Sequence, residues 1–335
     1  MSETTRDLVG SYLEEMERHG RNDRTTAAYE RVLGDFESFV TEQGETPRTA
    51  THRTCLEWVH GLRTDHAEST VATYASYLNR FYDYLGRLGE VDGNPMELVL
   101  EEMDESVDVN PTRRDVSVEA MREFVSTVGH PLHRAVIVTL LKTGMRAGEL
   151  ANLDMIDLNL DHPGVTDSPR AQVATRPDSV FVSADHTYNR ESGGEVRIAS
   201  NKRERSTVIP VDDELKRALL CWLAVRPDTQ TTPSPVFVGT AEGWGERISP
   251  HSVHHIVETY ARRHGWYRTG GGASENVTPH YFRHFFTTHL RDRTGDRGIV
   301  KYLRGDVADD VIETYTHDWG DRVRETYLES IYRLE

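Results

Sequence analysis

The residues best suited to chemistry lie in the run Val277-Thr278-Pro279-His280-Tyr281-Phe282-Arg283-His284-Phe285-Phe286. Thr278 is a strong N-cap residue and Pro279 suits the first helical position, so the pattern predicts a helix starting here. His280 and Arg283, three residues apart, then share one face of its opening turn. A helix N-terminus favours anions through its free N–H groups and its dipole. An imidazole and a guanidinium beside it make a phosphate cradle, with arginine as the bidentate clamp. Two other readings compete. His280, His284 and His289 can be solvated or core-edge residues, or His280 and His284 can be metal ligands at i and i+4. The metalloprotease pattern needs Glu after the first His, and position 281 is Tyr.

A second candidate is Thr143-Gly144-Met145-Arg146-Ala147-Gly148-Glu149-Leu150. Gly144 predicts a left-handed helix stop, and a new helix follows with Arg146 in its first turn and Glu149 at i+3. The pair is either a surface salt bridge of little worth or a second guanidinium, held by a carboxylate and aimed at the same phosphate. Lys202, in Asn201-Lys202-Arg203-Glu204, is expected at a hairpin tip, where a lysine is more often just solvated. Tyr315, between two short helices, reads by itself as structural.

The elements that must position these groups fall into two sets. Residues 1–105 read as a helical domain. Leu8, Tyr12, Leu13 and Met16 form one stripe, and Thr25 or Thr26 caps a helix carrying Tyr29 to Val40. A third helix covers Thr51–Leu62, and a fourth starts near Ser69 and buries an aromatic stripe. Asn94-Pro95 ends the set. Residues 106–115 are the expected linker and residues 116–335 the second domain. Its helices are expected from Ser117, over Leu132–Lys142, over Asp212–Val225, over Ser249–His264 and from Thr278. Short strands are expected at Val180–Val182, Glu195–Ala199 and Thr207–Pro210, the last two joined by the Lys202 turn. His251, His254, His255 and His264 complete no metal set and read as solvated or DNA-facing. Gly270-Gly271-Gly272 reads as a flexible tether.

The 335 residues suffice for two cores. Only Cys55 and Cys221 occur, in no ligand-like spacing, which fits a reducing cytoplasm. No membrane span or signal peptide is expected. The net charge is −16, with 55 acidic against 39 basic residues. Taken alone this argues against a nucleic-acid partner. The basic residues nevertheless cluster, at Lys202, Arg203 and Arg205, at Arg262, Arg263 and Arg268, and from Arg283 to Arg304. The strongly acidic remainder suits a protein that stays soluble in high salt.

Taken together, Thr-Gly-Met-Arg146-Ala-Gly-Glu-Leu, Lys202 eight residues before Pro210, His280-x-x-Arg283-His284 and Tyr315-Thr-His resemble the tyrosine recombinase/phage integrase family. Each motif is weak alone, and the ordered set is strong. The first domain is similar to the family's helical core-binding (SAM-like) domain, and the acidic surface to an archaeal, halophile-like member. The resemblance implies a mainly α fold with a small antiparallel β-sheet, and a site-specific recombinase that needs no metal or other cofactor. It implies that Tyr315 attacks a phosphate of double-stranded DNA to form a 3′-phosphotyrosine. Arg146 and Arg283 then clamp the non-bridging oxygens, Lys202 protonates the departing 5′-oxygen, and His280 assists proton transfer at the tyrosine. Arg203 and Arg205 are the expected DNA-binding cluster. A two-domain clamp on DNA, a homotetramer there and a monomer in free solution are further expectations. Rival outcomes are a type IB topoisomerase-like nicking-closing enzyme and an inactive DNA-binding regulator. One position departs from the pattern: Asp306 stands where the family has His or Trp. The expectation is that it faces away, with Arg304 or another donor substituting.

Overall fold

The structure is a computed structural model that describes residues 7–19, 21, 23–105, 112–162, 165, 168–199, 201–229, 231–241, 243–306 and 319–335. The chain divides into two compact units, Met1–Pro111 and Thr112–Glu335. Each encloses its own hydrophobic core.

The first unit is helical: α1 (Leu8–Arg18), α2 (Asp23–Glu42), α3 (His52–Asp65), α4 (Glu68–Leu88) and α5 (Met96–Glu102). Leu8, Tyr12 and Met16 of α1 are buried, as are Val71, Leu78, Phe81, Tyr82 and Leu85 of α4. Thr51 caps α3 through Thr54 N–H, and Gly89 ends α4 in the left-handed conformation. Two expectations are corrected. Helix α2 begins at Asp23, so neither Thr25 nor Thr26 is its cap. Asn94-Pro95 does not end the helical set, because α5 follows and buries Met96 and Val99. Its start is held by Asn94 Oδ1, which accepts from Met96 N–H at 2.9 Å.

The second unit begins with α6 (Val118–Ser126), α7 (Pro131–Thr143) and α8 (Ala147–Ala151). Then come β1 (Leu158–Asn159), α9 (Ala171–Ala174), β2 (Ser179–Val182), β3 (Glu191–Ser192), β4 (Glu195–Val196) and β5 (Thr207–Pro210). Helices α10 (Asp213–Leu223), α11 (Pro250–Arg263), α12 (Pro279–Thr294), α13 (Arg297–Arg304) and α14 (Trp319–Ser330) complete it. The mainly helical chain thus carries a small antiparallel sheet of order β1-β2-β5, in which Val180 faces Ile209 and Val182 faces Thr207.

The expected hairpin through Lys202 does not form. β5 pairs with β2, and β4 pairs with β3 across Gly193-Gly194, both at positive φ as a tight two-residue turn requires. Residues 201–206 are therefore a connecting segment, freed from a strand register to pack elsewhere. The Gly270–Gly272 segment is no loose tether either. Asn276 Nδ2 donates to the carbonyls of Arg268 and Gly271, and Arg268 pairs with Glu275. His251, His254 and His255 are exposed, whereas His264 packs edge-on against Phe124 and Trp266. Among the described residues, no helix is long and apolar enough to cross a membrane.

Candidate active site

Helix α12 is the central strut of the site. Thr278 accepts from Tyr281 N–H as its cap, with Pro279 at the first position. Phe282, Phe285 and Phe286 are buried, and α12 packs on α7, α13 and α14. With the helix fixed by these rings, Arg283 is buried too, at 2% exposure, while His280 one turn earlier stays at the surface. Arg283 Nη1 donates to Gly144 O at 2.7 Å, and Nη2 donates to Arg304 O at 3.1 Å and to Asp306 Oδ1 at 3.0 Å. One guanidinium thus joins the ends of α7 and α13. Gly144 has to be glycine: its φ is +62°, and a Cβ there would lie 2.4 Å from the Phe286 ring.

Arg146 is the N-cap of α8, one position before the expected first turn. Its backbone N–H donates to Glu149 Oε2 at 3.0 Å and its Nη1 donates to Glu149 Oε1 at 2.9 Å. Nη1 also donates to Lys202 O at 2.9 Å, which brings residue 202 to the site through its main chain. The Lys202 side chain is exposed. Glu149 is not the surface partner of a weak pair: it is 1% exposed. Burial pushes its carboxyl up, but Arg203, the Arg146 N–H, Arg283 and Arg146 outweigh that and hold it below the ordinary value.

Arg203, expected in the DNA-binding cluster, is buried instead. It is 3% exposed, donates from Nη2 to Glu149 Oε2 at 3.1 Å and from Nη1 to Leu303 O at 3.0 Å, and bonds Thr207 Oγ1. Its stem lies over Gly305, where a Cβ would meet Arg203 Cγ, and Glu204 N–H donates to Gly305 O at 3.0 Å. A buried carboxylate needs a buried cation, and Glu149 takes this one from the loop. Arg205 is half-buried over the Tyr302 ring, 5.1 Å from its centroid.

Asp306 also departs from expectation: it faces in. Gly305 ends α13 in the left-handed conformation and turns the next residue back. The Asp306 carboxylate lies 3.0 Å from Arg283 Nη2, 3.0 Å from Arg304 Nε and 3.7 Å from Arg146 Nη2. Arg146 and Arg283 are thereby brought to one carboxylate. Sequence reasoning offered Glu149 as the carboxylate that holds Arg146 but missed its burial, its pairing with Arg203 and the Arg283 bonds to main-chain carbonyls. The only signal for Arg203 was its position four residues before the strand Thr207–Pro210.

The electrostatics follow from the crowding of cations. Desolvation and the charges of Arg146 and Arg304 bring the Arg283 pKa down to about 10, against the pull of Glu149 and Asp306. The His280 pKa is lowered by desolvation first, then by Arg113, Arg283, Arg146 and Arg304. That shift favours the neutral imidazole, the form that can accept a proton. Tyr315 lies outside the described residues. Among the described residues, no three His, Cys, Asp or Glu side chains gather to hold a metal ion.

Residues 190–320 match the phage integrase family, and residues 4–89 match the phage integrase N-terminal SAM-like domain. The tyrosine recombinase XerC of Pelobacter propionicus is 26% identical over 307 residues, covering 90% of this chain and 87% of that protein. The chain belongs to the phage integrase family of tyrosine recombinases. The XerC of Pelotomaculum thermopropionicum is 25% identical over 323 residues, with 92% of each chain covered. Among solved structures, the Tn1549 transposon integrase in complex with a circular intermediate DNA has a TM-score of 0.64 at 17% identity, covering 89% of this recombinase and 91% of that chain. A lambda integrase dimer bound to a COC′ core site has a TM-score of 0.61 at 13% identity, covering 92% and 97%. Both likenesses bear on fold. Arg146 lies upstream of the matched span 190–320.

Proposed function

We propose that this recombinase cuts and rejoins double-stranded DNA at a specific site through a 3′-phosphotyrosine, with Tyr315 as the nucleophile. The observation that supports the reading is the convergence of Arg146 and Arg283, far apart in the chain, on a single carboxylate at 3.7 and 3.0 Å. Two fixed guanidiniums that accept a carboxylate also accept two non-bridging oxygens of a phosphodiester. As the phenolic oxygen adds to phosphorus, the phosphoryl group gains negative charge. Donors already in place then stabilise the transition state more than the ground state. Neutral His280 takes up the phenol proton, and Lys202 gives a proton to the departing 5′-oxygen. The phosphotyrosine conserves the bond energy, and attack by a 5′-hydroxyl reverses the step. Assembly as a tetramer on two DNA sites belongs to the same proposal.

The test is covalent capture on nicked suicide duplexes selected from a random-sequence library. Capture that is restricted to a sequence and lost in Tyr315→Phe supports the reading. Binding without any covalent product overturns it, and relaxation of any supercoiled plasmid replaces it with nicking-closing activity.

A further inference from the structure

Two carboxylates serve the arginine cluster, and they are held very differently. Glu149 is fixed in place: its side chain is 0% exposed and bonded to the Arg146 main chain, to the Arg146 guanidinium and to Arg203. Asp306 is 27% exposed at its side chain, follows a left-handed glycine, and pairs with Arg146, Arg283 and Arg304. The Arg304 pairing is poorly made. Its Nε is buried and lies 3.0 Å from Asp306 Oδ2, yet without hydrogen-bond alignment. Arg283, by contrast, makes aligned hydrogen bonds to Asp306 and to two main-chain carbonyls.

We infer that Asp306 is an exchangeable internal anion that occupies the phosphate position among Arg146, Arg283 and Arg304, and that Arg304 becomes a third guanidinium contact to the phosphate when Asp306 leaves. The inference rests on the proposed function for the identity of the phosphate but concerns a different step, engagement rather than cleavage. A carboxylate and a phosphodiester each carry one negative charge and offer two oxygens, so the exchange leaves the charge of the cluster unchanged. Asp306 has to leave. If it stayed ionised beside a phosphorus centre gaining charge, it would oppose the transition state that the arginines stabilise. Arg304 Nε, unaligned with the carboxylate, then gains an acceptor.

The exchange has a consequence for salt. A bare arginine cluster carries a salt anion, and binding a phosphate releases it, which makes binding weaken as salt rises. Where a side chain already fills that place, there is no anion to release at the cluster. Phosphate engagement then tolerates high salt, at the cost of lower affinity in dilute buffer. This agrees with a chain of net charge −16.

Inorganic phosphate is the probe, titrated by calorimetry into the full-length chain at several chloride concentrations, which requires neither a cognate site nor Tyr315. Wild type is expected to bind weakly and with little dependence on chloride. Asp306→Asn is expected to bind about tenfold more tightly in dilute salt, with a log–log salt slope steeper by about one. Adding Arg304→Gln to Asp306→Asn is expected to remove most of that gain. Equal affinity and equal slope in wild type and D306N overturn the inference, and an unchanged affinity on adding R304Q overturns the part given to Arg304. If D306N melts below the working temperature, Asp306→His carries the same comparison above neutral pH, where its ring is uncharged. Failure of covalent capture with successful phosphate exchange would sink the recombinase reading and leave this one standing.

Discussion

Arg283 has work that lysine cannot take over. Its fork reaches the carbonyls of Gly144 and Arg304 and the Asp306 carboxylate at once, and an ammonium on a flexible stem has no such planar geometry. Arg283→Lys is expected to lower covalent capture by about 100-fold or more, read in single turnover. It should lower the melting temperature as well, because two carbonyls lose a fitted donor. His280 yields a pH prediction. A proton acceptor must be neutral, and desolvation first, then the charges of Arg113 and the arginine cluster, lower its pKa below the ordinary 6.5. The sign is then fixed: the capture rate holds as pH falls past about 6.5 and declines only in more acidic buffer. An acid limb centred above 6.5, or one unchanged in His280→Gln, would remove His280 from that role.

At the scale of elements, the connecting segment 201–206 and the end of α13 are locked to each other, and the lock explains why Arg203 and Arg205 differ. Arg203→Ala would take from Glu149 its fully buried cation and leave only the partly exposed Arg146 beside it, at a cost of up to about 3–5 kcal/mol in denaturant unfolding. A charge reversal there measures folding and not DNA contact. Arg205→Ala is expected to leave the melting temperature nearly unchanged. It should weaken DNA binding and flatten its salt dependence by about one counterion, if Arg205 meets a phosphate. Gly305→Ala tests the lock from the other side. A Cβ there would sit 2.2 Å from Arg203 Cγ at a φ of +74°, so the variant should lose stability and the Lys202 segment its position. Chemical shifts or hydrogen exchange at residues 201–206 would register that loss.

For the whole molecule, 55 acidic and 39 basic residues set two opposed responses to salt. Self-repulsion of the acidic surface destabilises the folded chain at low ionic strength and is screened as salt rises. The melting temperature is therefore expected to climb between roughly 0.1 M and 2 M KCl. DNA binding runs the other way, as counterion release requires. A melting temperature that falls with KCl would show that specific ion pairs, and not net charge, govern stability. The network in which Asp154 meets Arg197 and Arg247, both only 5% exposed at the side chain, is where such pairs concentrate.

Local signals were enough for what local chemistry decides. Thr278-Pro279 started α12, Ser117 capped α6, Gly144 stopped α7, and the apolar spacing of α1 and α4 marked their buried faces. The types and order of Arg146, Lys202, His280, Arg283 and Tyr315 pointed to phosphate chemistry without any coordinates. Strand pairing was not readable, because β5 meets β2 across the whole intervening stretch 183–206 while Glu195–Val196 turns back on Glu191–Ser192. A hairpin was inferred from adjacency, and tertiary packing overrode it. The direction of a charged side chain was equally hidden. Arg203 and Arg205 are indistinguishable as letters, yet one neutralises a buried carboxylate and the other lies over a tyrosine ring. Asp306 reads as a defect in the pattern until the left-handed Gly305 turns it toward three guanidiniums. Burial and the partner across the gap decide what a charge does, and both arise only when distant segments meet.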